Sequence, residues 1–188
     1  MASRVVGSEN LILGKSEILQ LIKRRELLVD PLSEMCLTQD GIDLRLGKEI
    51  ARLRNVSTIL DTHKTKDIKK FYKREVNSSF VINPEERVLV CTFEKIRLTN
   101  KVVGFLNIRS TYARIGLLLP YGFVNSGFYG QLTVEIIGGS FPVKLYAMDK
   151  VFHLTLAEKS TAASNAYRGR YQNQVGVTLP LLRFHETH

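Results

Sequence analysis

Nowhere in its 188 residues does the chain hold a run approaching the roughly 20 apolar residues that span a bilayer, so membrane insertion is not expected. Its opening, Met1-Ala-Ser-Arg-Val-Val-Gly7, lacks the long apolar stretch of a signal peptide, and a cytoplasmic location is expected. Cysteine is scarce, with only Cys36 and Cys91. Both lie among apolar neighbours, in Met35-Cys36-Leu37 and Val90-Cys91-Thr92. The expectation is two reduced thiols, at least one of them in the core, and no disulfide scaffold. No internal repeat is visible. Acidic residues are outnumbered, 18 against 27 basic ones, leaving a net charge of +9. That excess favours anionic partners and by itself does not choose between phosphate-bearing small molecules, nucleic acid and a membrane surface.

What remains is a globular composition. Apolar residues are 44% and charged residues 24%, which sets the chain apart from disordered ones. Residues 1–188 read as one domain, long enough to bury a core. Lys15 to Glu26 predicts an amphipathic helix, with Ile18, Leu19, Leu21 and Ile22 at helical spacing. Ser16 is the expected N-cap, Lys23, Arg24 and Arg25 suit the C-terminal end, and Pro31 lies just beyond.

The period then changes to two. In Gly41-Ile-Asp-Leu-Arg-Leu-Gly47 the apolar residues alternate with Asp43 and Arg45, predicting a strand bounded by glycines. Further strands are predicted at Glu49 to Leu53, Phe80 to Ile82, Arg87 to Phe93, Val102 to Ile108, Gln131 to Ile137, Val143 to Tyr146 and Val151 to Leu156. Many short strands with turn residues between them predict a mainly β fold of sandwich, jelly-roll or barrel type. From about residue 54 to 79 the pattern weakens, and Lys64, Lys66, Lys69, Lys70, Lys73 and Arg74 crowd together. A solvated insertion or helix face is preferred there over a nucleic-acid patch, because aromatic interleaving is limited to Phe71 and Tyr72.

Three constellations carry chemistry. Arg109-Ser-Thr-Tyr-Ala-Arg114 follows an apolar strand. Ser110 or Thr111 could cap a short helix there, with backbone N–H groups and two guanidinium groups free for phosphate. Surface charge is the plainer reading of the same arginines. Tyr121-Gly-Phe-Val-Asn-Ser-Gly-Phe-Tyr-Gly130 reads as a tight glycine-rich turn into Gln131-Leu-Thr-Val-Glu-Ile136, whose Gln131, Thr133 and Glu135 share one face. By pattern alone that face is either solvated or a polar pocket. The tail from about residue 160 to 188, containing Ala166-Tyr-Arg-Gly-Arg-Tyr-Gln-Asn-Gln-Val-Gly176, is polar, basic and aromatic. It reads as a flexible arm or as an arm that orders over a ligand.

Taken in order, these three pieces resemble the dCTP deaminase family of the dUTPase-like superfamily, nearest to its archaeal-type dUTPase branch. The helix at Ile18 to Leu28 and Gly41-Ile-Asp-Leu-Arg-Leu-Gly47 extend the likeness to about Leu13–Leu182. The resemblance implies a distorted jelly roll with a short N-terminal helix and a C-terminal arm, assembled as a homotrimer with active sites between subunits. It implies Mg²⁺ held mainly by the substrate triphosphate, with no protein ligands to the metal and no zinc. Arg109, Ser110, Thr111 and Arg114 would hold phosphates and orient reacting groups. Phe128 would pack on the sugar, and Thr133, Val134 and Glu135 would bind the substrate, with Glu135 as the catalytic carboxylate. Tyr167, Arg170 and Gln174 would close over the nucleotide. Asn125 stands where the family usually has an aspartate facing the deoxyribose and the attacking water.

Two chemistries are implied. In one, water activated by Glu135 attacks C4 of dCTP and yields dUTP and ammonia. The chain lacks the His-x-Glu and Pro-Cys-x-x-Cys signature of zinc deaminases, and its four histidines are scattered. In the other, water attacks the α-phosphorus of dUTP and yields dUMP and pyrophosphate. The run Leu117–Asn125 looks two residues shorter than the corresponding deaminase loop, and it and Gln172–Pro180 are more similar to the dUTPase branch. The diphosphatase is therefore the leading expectation, and dCTP deamination, alone or with it, the alternative. Asparagine cannot take a proton from water at neutral pH, so a non-catalytic nucleotide binder is a third reading. Nucleic acid is not an expected partner.

Overall fold

A computed structural model describes residues 12–182. Helix α1 (Lys15–Lys23) leads into strands β1 (Leu28–Asp30) and β2 (Ile42–Leu53). Strands β3 (Tyr72–Val76), β4 (Ser79–Ile82), β5 (Arg87–Arg97) and β6 (Val102–Ile108) follow. A five-residue helix, α2 (Ser110–Arg114), precedes β7 (Gly122–Val124), β8 (Tyr129–Ile137), β9 (Val143–Tyr146) and β10 (Lys150–Glu158). The result is a mainly β, curled half-barrel of the expected jelly-roll kind. Strand β5 is flanked by β8 along one edge and by β2 and then β1 along the other, all antiparallel. The first half of β2 pairs instead with β10, which continues through β6 to β7. Strands β4 and β9 form a separate antiparallel pair.

The alternation read in the sequence builds the core. Ile42, Leu44, Leu46, Ile50, Ile96, Ile136, Phe152 and Leu154 are all fully buried. Each such side chain contributes roughly 1.5–3 kcal/mol by leaving water. Cys36 and Cys91 are both buried and reduced. Burial pushes the Cys91 thiol up to about 11.

Local structure departs from the expectations at four places. Helix α1 ends at Lys23, because Arg25 turns left-handed (φ 59°) and the Glu26 N–H reaches back to the Leu21 carbonyl. Leu28, placed in the helix by the resemblance, begins β1. Gly14, not Ser16, is the N-cap, and the Ser16 hydroxyl donates to Glu17. Gly47 does not end a strand: β2 runs through it at a register shift between Leu46 and Ile50. A Cβ there would sit 2.5 Å from Cys91 Sγ. The basic stretch 54–79 holds no helix face but a 3₁₀ turn (Ile68–Phe71) and β3, which pairs with β2. Its apolar residues are too few to show the period, and the register comes from β2.

Candidate active site

The turn from Asn125 to Gly130 is made by local bonds and by glycine. Phe128 N–H donates to the Asn125 carbonyl, and Gly127 sits at φ 83°. A Cβ on Gly127 would lie 2.6 Å from the Tyr167 nitrogen, so only glycine lets the C-terminal arm pass this closely. Phe128 is buried, with its ring 6.2 Å from that of Tyr167.

Two adjoining cavities open here. The larger, about 340 Å³, is lined by Asn125, Phe128, Thr133, Tyr167, Tyr171 and Gln174, among others. The smaller, about 180 Å³, is lined by Tyr121, Phe123, Thr133, Val134 and Glu135, among others. Phe123, Val124, Leu132 and Thr133 belong to both walls. Among the described residues, Glu135 supplies the only carboxylate lining either cavity. Its side chain is one-third exposed and 3.7 Å from Arg87, so it is neither fully solvated nor sealed. Tyr72 lies nearby. Burial chiefly, then Glu135 and Tyr171, raises its phenol above the ordinary value. Sequence reasoning missed Tyr72 because β3 was not legible.

The arm is bonded along much of its length. Asn173 N–H donates to the Tyr129 carbonyl, and Gln131 N–H to the Gln174 carbonyl. The Gln131 side chain accepts from Gly176 N–H at 2.6 Å, and the Thr133 hydroxyl accepts from Thr178 N–H at 2.9 Å. Arg74 donates to the Val177 carbonyl and Glu49 accepts from the Val177 N–H. Val177 and Leu179 complete a small apolar cluster with Ala51 and Cys91. Two of the three polar-face residues of β8, Gln131 and Thr133, are therefore covered by the arm, and residues 172–179 of that arm are tied down. Arg170, expected to close over the nucleotide, donates to the Leu181 carbonyl and lines neither cavity.

The α2 residues stand apart. Arg109, not Ser110 or Thr111, is the N-cap, with no side-chain cap. Its Nε lies 3.1 Å from Asp43, and its Nη1 donates to the Lys150 carbonyl. Asp43, read as the polar face of its strand, is buried, with His153 Nδ1 at 3.0 Å and Lys150 at 4.0 Å. Ser110, Thr111 and Arg114 are exposed. No α2 residue, nor Arg109, lines either cavity.

The fold is thus a curled β half-barrel with two adjoining cavities, the larger of them walled by a glycine-rich turn and a returning arm. A profile of the dCTP deaminase-like family matches residues 12–159. A dCTP deaminase of Metallosphaera sedula is 42% identical over 170 residues, 90% of this chain and 98% of that protein. A protein of Sulfolobus islandicus rod-shaped virus 1, named as a probable deoxyuridine 5′-triphosphate nucleotidohydrolase, is 41% identical over 169 residues, 90% of this chain and 98% of that one. The fold matches the crystal structure of 2′-deoxycytidine 5′-triphosphate deaminase from Agrobacterium tumefaciens with a TM-score of 0.64 at 20% identity. That match covers 80% of this chain and about half (49%) of the other. The chain belongs to the dCTP deaminase-like family.

Proposed function

We propose that the protein hydrolyses a pyrimidine deoxynucleoside triphosphate, and that its reaction is the deamination of dCTP to dUTP and ammonia. The observation that carries this reading is Glu135, the lone carboxylate among the described residues lining the two cavities. The names of most of its near-full-length relatives weigh toward the deaminase and away from the leading expectation from the sequence. Glu135 takes a proton from water as its oxygen bonds to C4, the C4–N3 π bond opens, and N3 receives that proton from Glu135. Glu135 then moves the proton of the new C4 hydroxyl to the exocyclic nitrogen, and the C4 carbonyl forms as the bond to that nitrogen breaks and ammonia leaves. Thr133 and Val134 present β8 to the base, Phe128 packs on the sugar, and Asn125 offers its amide to the sugar hydroxyl. Tyr167 and Gln174 close the cavity.

Phosphate binding falls to Arg109, Ser110, Thr111 and Arg114. Because these residues line neither cavity, α2 of a second copy completes the site, in keeping with a homotrimer. The exposed aromatic group Tyr121 and Phe123, with Phe105 beside them, supports a contact between copies. Among the described residues no three His, Cys, Asp or Glu side chains gather as a metal cage. The Mg²⁺ of this proposal would arrive on the triphosphate, where it would neutralise phosphate charge. No described helix is long and apolar enough to cross a membrane.

A second reading, dUTP diphosphatase, is favoured by the short Leu117–Asn125 segment and by the viral relative. A third, binding without turnover, is favoured by Asn125. The test is incubation with dCTP and dUTP separately, with Mg²⁺, assaying ammonia and separating the nucleotides. Ammonia and dUTP from dCTP support the proposal. Pyrophosphate and dUMP from dUTP alone overturn it in favour of the second reading. If neither substrate changes until Asn125→Asp is introduced, the third reading stands.

A further inference from the structure

Gln172, within the arm motif, lines neither cavity but binds the backbone of the Asn125–Gly130 turn and β8 through both ends of its amide. Gln172 Oε1 accepts from the Tyr129 N–H at 2.9 Å, and Gln172 Nε2 donates to the Gly127 carbonyl at 2.9 Å. The other edge of β8 at this point is taken by β5, with Tyr129 opposite Arg97. One side-chain amide thus supplies the donor and the acceptor that a neighbouring strand would supply. From there the arm carries on as backbone: Asn173 N–H to the Tyr129 carbonyl, then a parallel bridge between Gln174 and Gly130. Gln172 therefore sits where the arm meets the Asn125–Gly130 turn. It is flanked by Tyr171 and Gln174, which line the larger cavity.

We propose that Gln172 is a positioning residue, whose amide latches the arm to the Gly127–Tyr129 backbone and so sets Tyr171 and Gln174 against Asn125 and Phe128 before the nucleotide enters. It touches no substrate in this account. It acts by keeping the cavity wall assembled, so that the nucleotide does not bear the cost of ordering the arm. Loss of such a latch weakens nucleotide binding in ground and transition states alike, which raises KM and leaves kcat nearly unchanged. This kinetic consequence rests on the proposed turnover of a pyrimidine deoxynucleoside triphosphate; the latch itself does not.

The test compares the wild-type protein with Gln172→Met and Gln172→Glu. Methionine keeps the length and packing and removes both hydrogen bonds. Glutamate keeps the acceptor for Tyr129 and loses the donor to Gly127. The first readout needs no nucleotide: limited tryptic cleavage after the exposed Arg168 and Arg170. Faster cleavage in Gln172→Met, with a smaller increase in Gln172→Glu, is expected. The second readout is the KM for the turned-over nucleotide, expected to rise about tenfold in Gln172→Met, the scale of two ordinary hydrogen bonds, with kcat within about threefold. Wild-type cleavage rate in both variants overturns the latch. A lowered melting temperature with unchanged KM also overturns it, since Gln172 would then serve stability only. If the wild-type protein turns over no pyrimidine deoxynucleotide, the functional reading fails, while cleavage still decides for or against the latch.

Discussion

The arm and α2 carry two of the three sequence features that pointed to a nucleotide site, yet the fold treats them in opposite ways. The arm reads as a loose polar tail and is in fact bonded to β2, β3 and β8 by side chains 40 or more positions away in sequence. Helix α2 reads as a capped phosphate-binding element. It is fixed at its N-cap, through Arg109 and the buried Asp43, and leaves Ser110, Thr111 and Arg114 in solvent. One half of the candidate site is closed upon its own chain, and the other faces outward. Helical or strand period says nothing about either outcome, because both are decided by tertiary hydrogen bonds and ion pairs.

Four substitutions would break or sharpen this contrast. The largest effect is expected at Glu135, on β8 just beyond the stretch that the arm covers. Glu135→Gln keeps shape and hydrogen bonding but cannot shuttle a proton, so turnover should fall by roughly 10²–10⁴-fold while nucleotide binding persists. Rate and binding measurements on one preparation would separate the two, and an unaffected rate removes Glu135 from the mechanism.

Next comes the anchor of α2. Asp43→Ala leaves Arg109, Lys150 and His153 without their shared carboxylate, and a loss of about 3 kcal/mol in unfolding free energy is expected by denaturant titration. A smaller effect is expected at the arm's crossing point. Gly127→Ala must hold φ near 83° and place a methyl against Tyr167, at a cost of roughly 1–3 kcal/mol. Tryptic cleavage of the arm should accelerate in this variant and not in Asp43→Ala.

The mildest prediction concerns pH. The Cys91 thiol, raised to about 11, keeps its proton in the folded protein more firmly than in the unfolded one. Its contribution, on the order of 2 kcal/mol, is fully present below pH ~9 and is lost as pH rises through about 11. Replacing Cys91 with alanine should flatten stability over that window, as read from melting temperatures across the pH series.

How much of this was legible in the sequence varies element by element. Strands Val102–Ile108 and Val143–Tyr146 lie where the alternation placed them. Strands β1, β3 and β7 did not show. β1 continues the apolar residues of α1, β3 is almost wholly polar, and β7 is three residues inside a glycine-rich turn. In the candidate site, Asn125, Phe128, Thr133, Tyr167 and Gln174 come together at one cavity, with Val134 and Glu135 at its neighbour. Asp43, Tyr72 and Gln172 were invisible. Each owes its place to a partner far along the chain, and a polar residue in a strand or tail announces no such partner.

The most direct test of the central claim is to run the reaction on dCTP in ¹⁸O-labelled water and locate the label by mass spectrometry. The account predicts dUTP carrying ¹⁸O on C4 of the base, with unlabelled phosphates. Cytosine left unchanged, with label only on the phosphate of a dCMP product, would show water attacking phosphorus instead and contradict it.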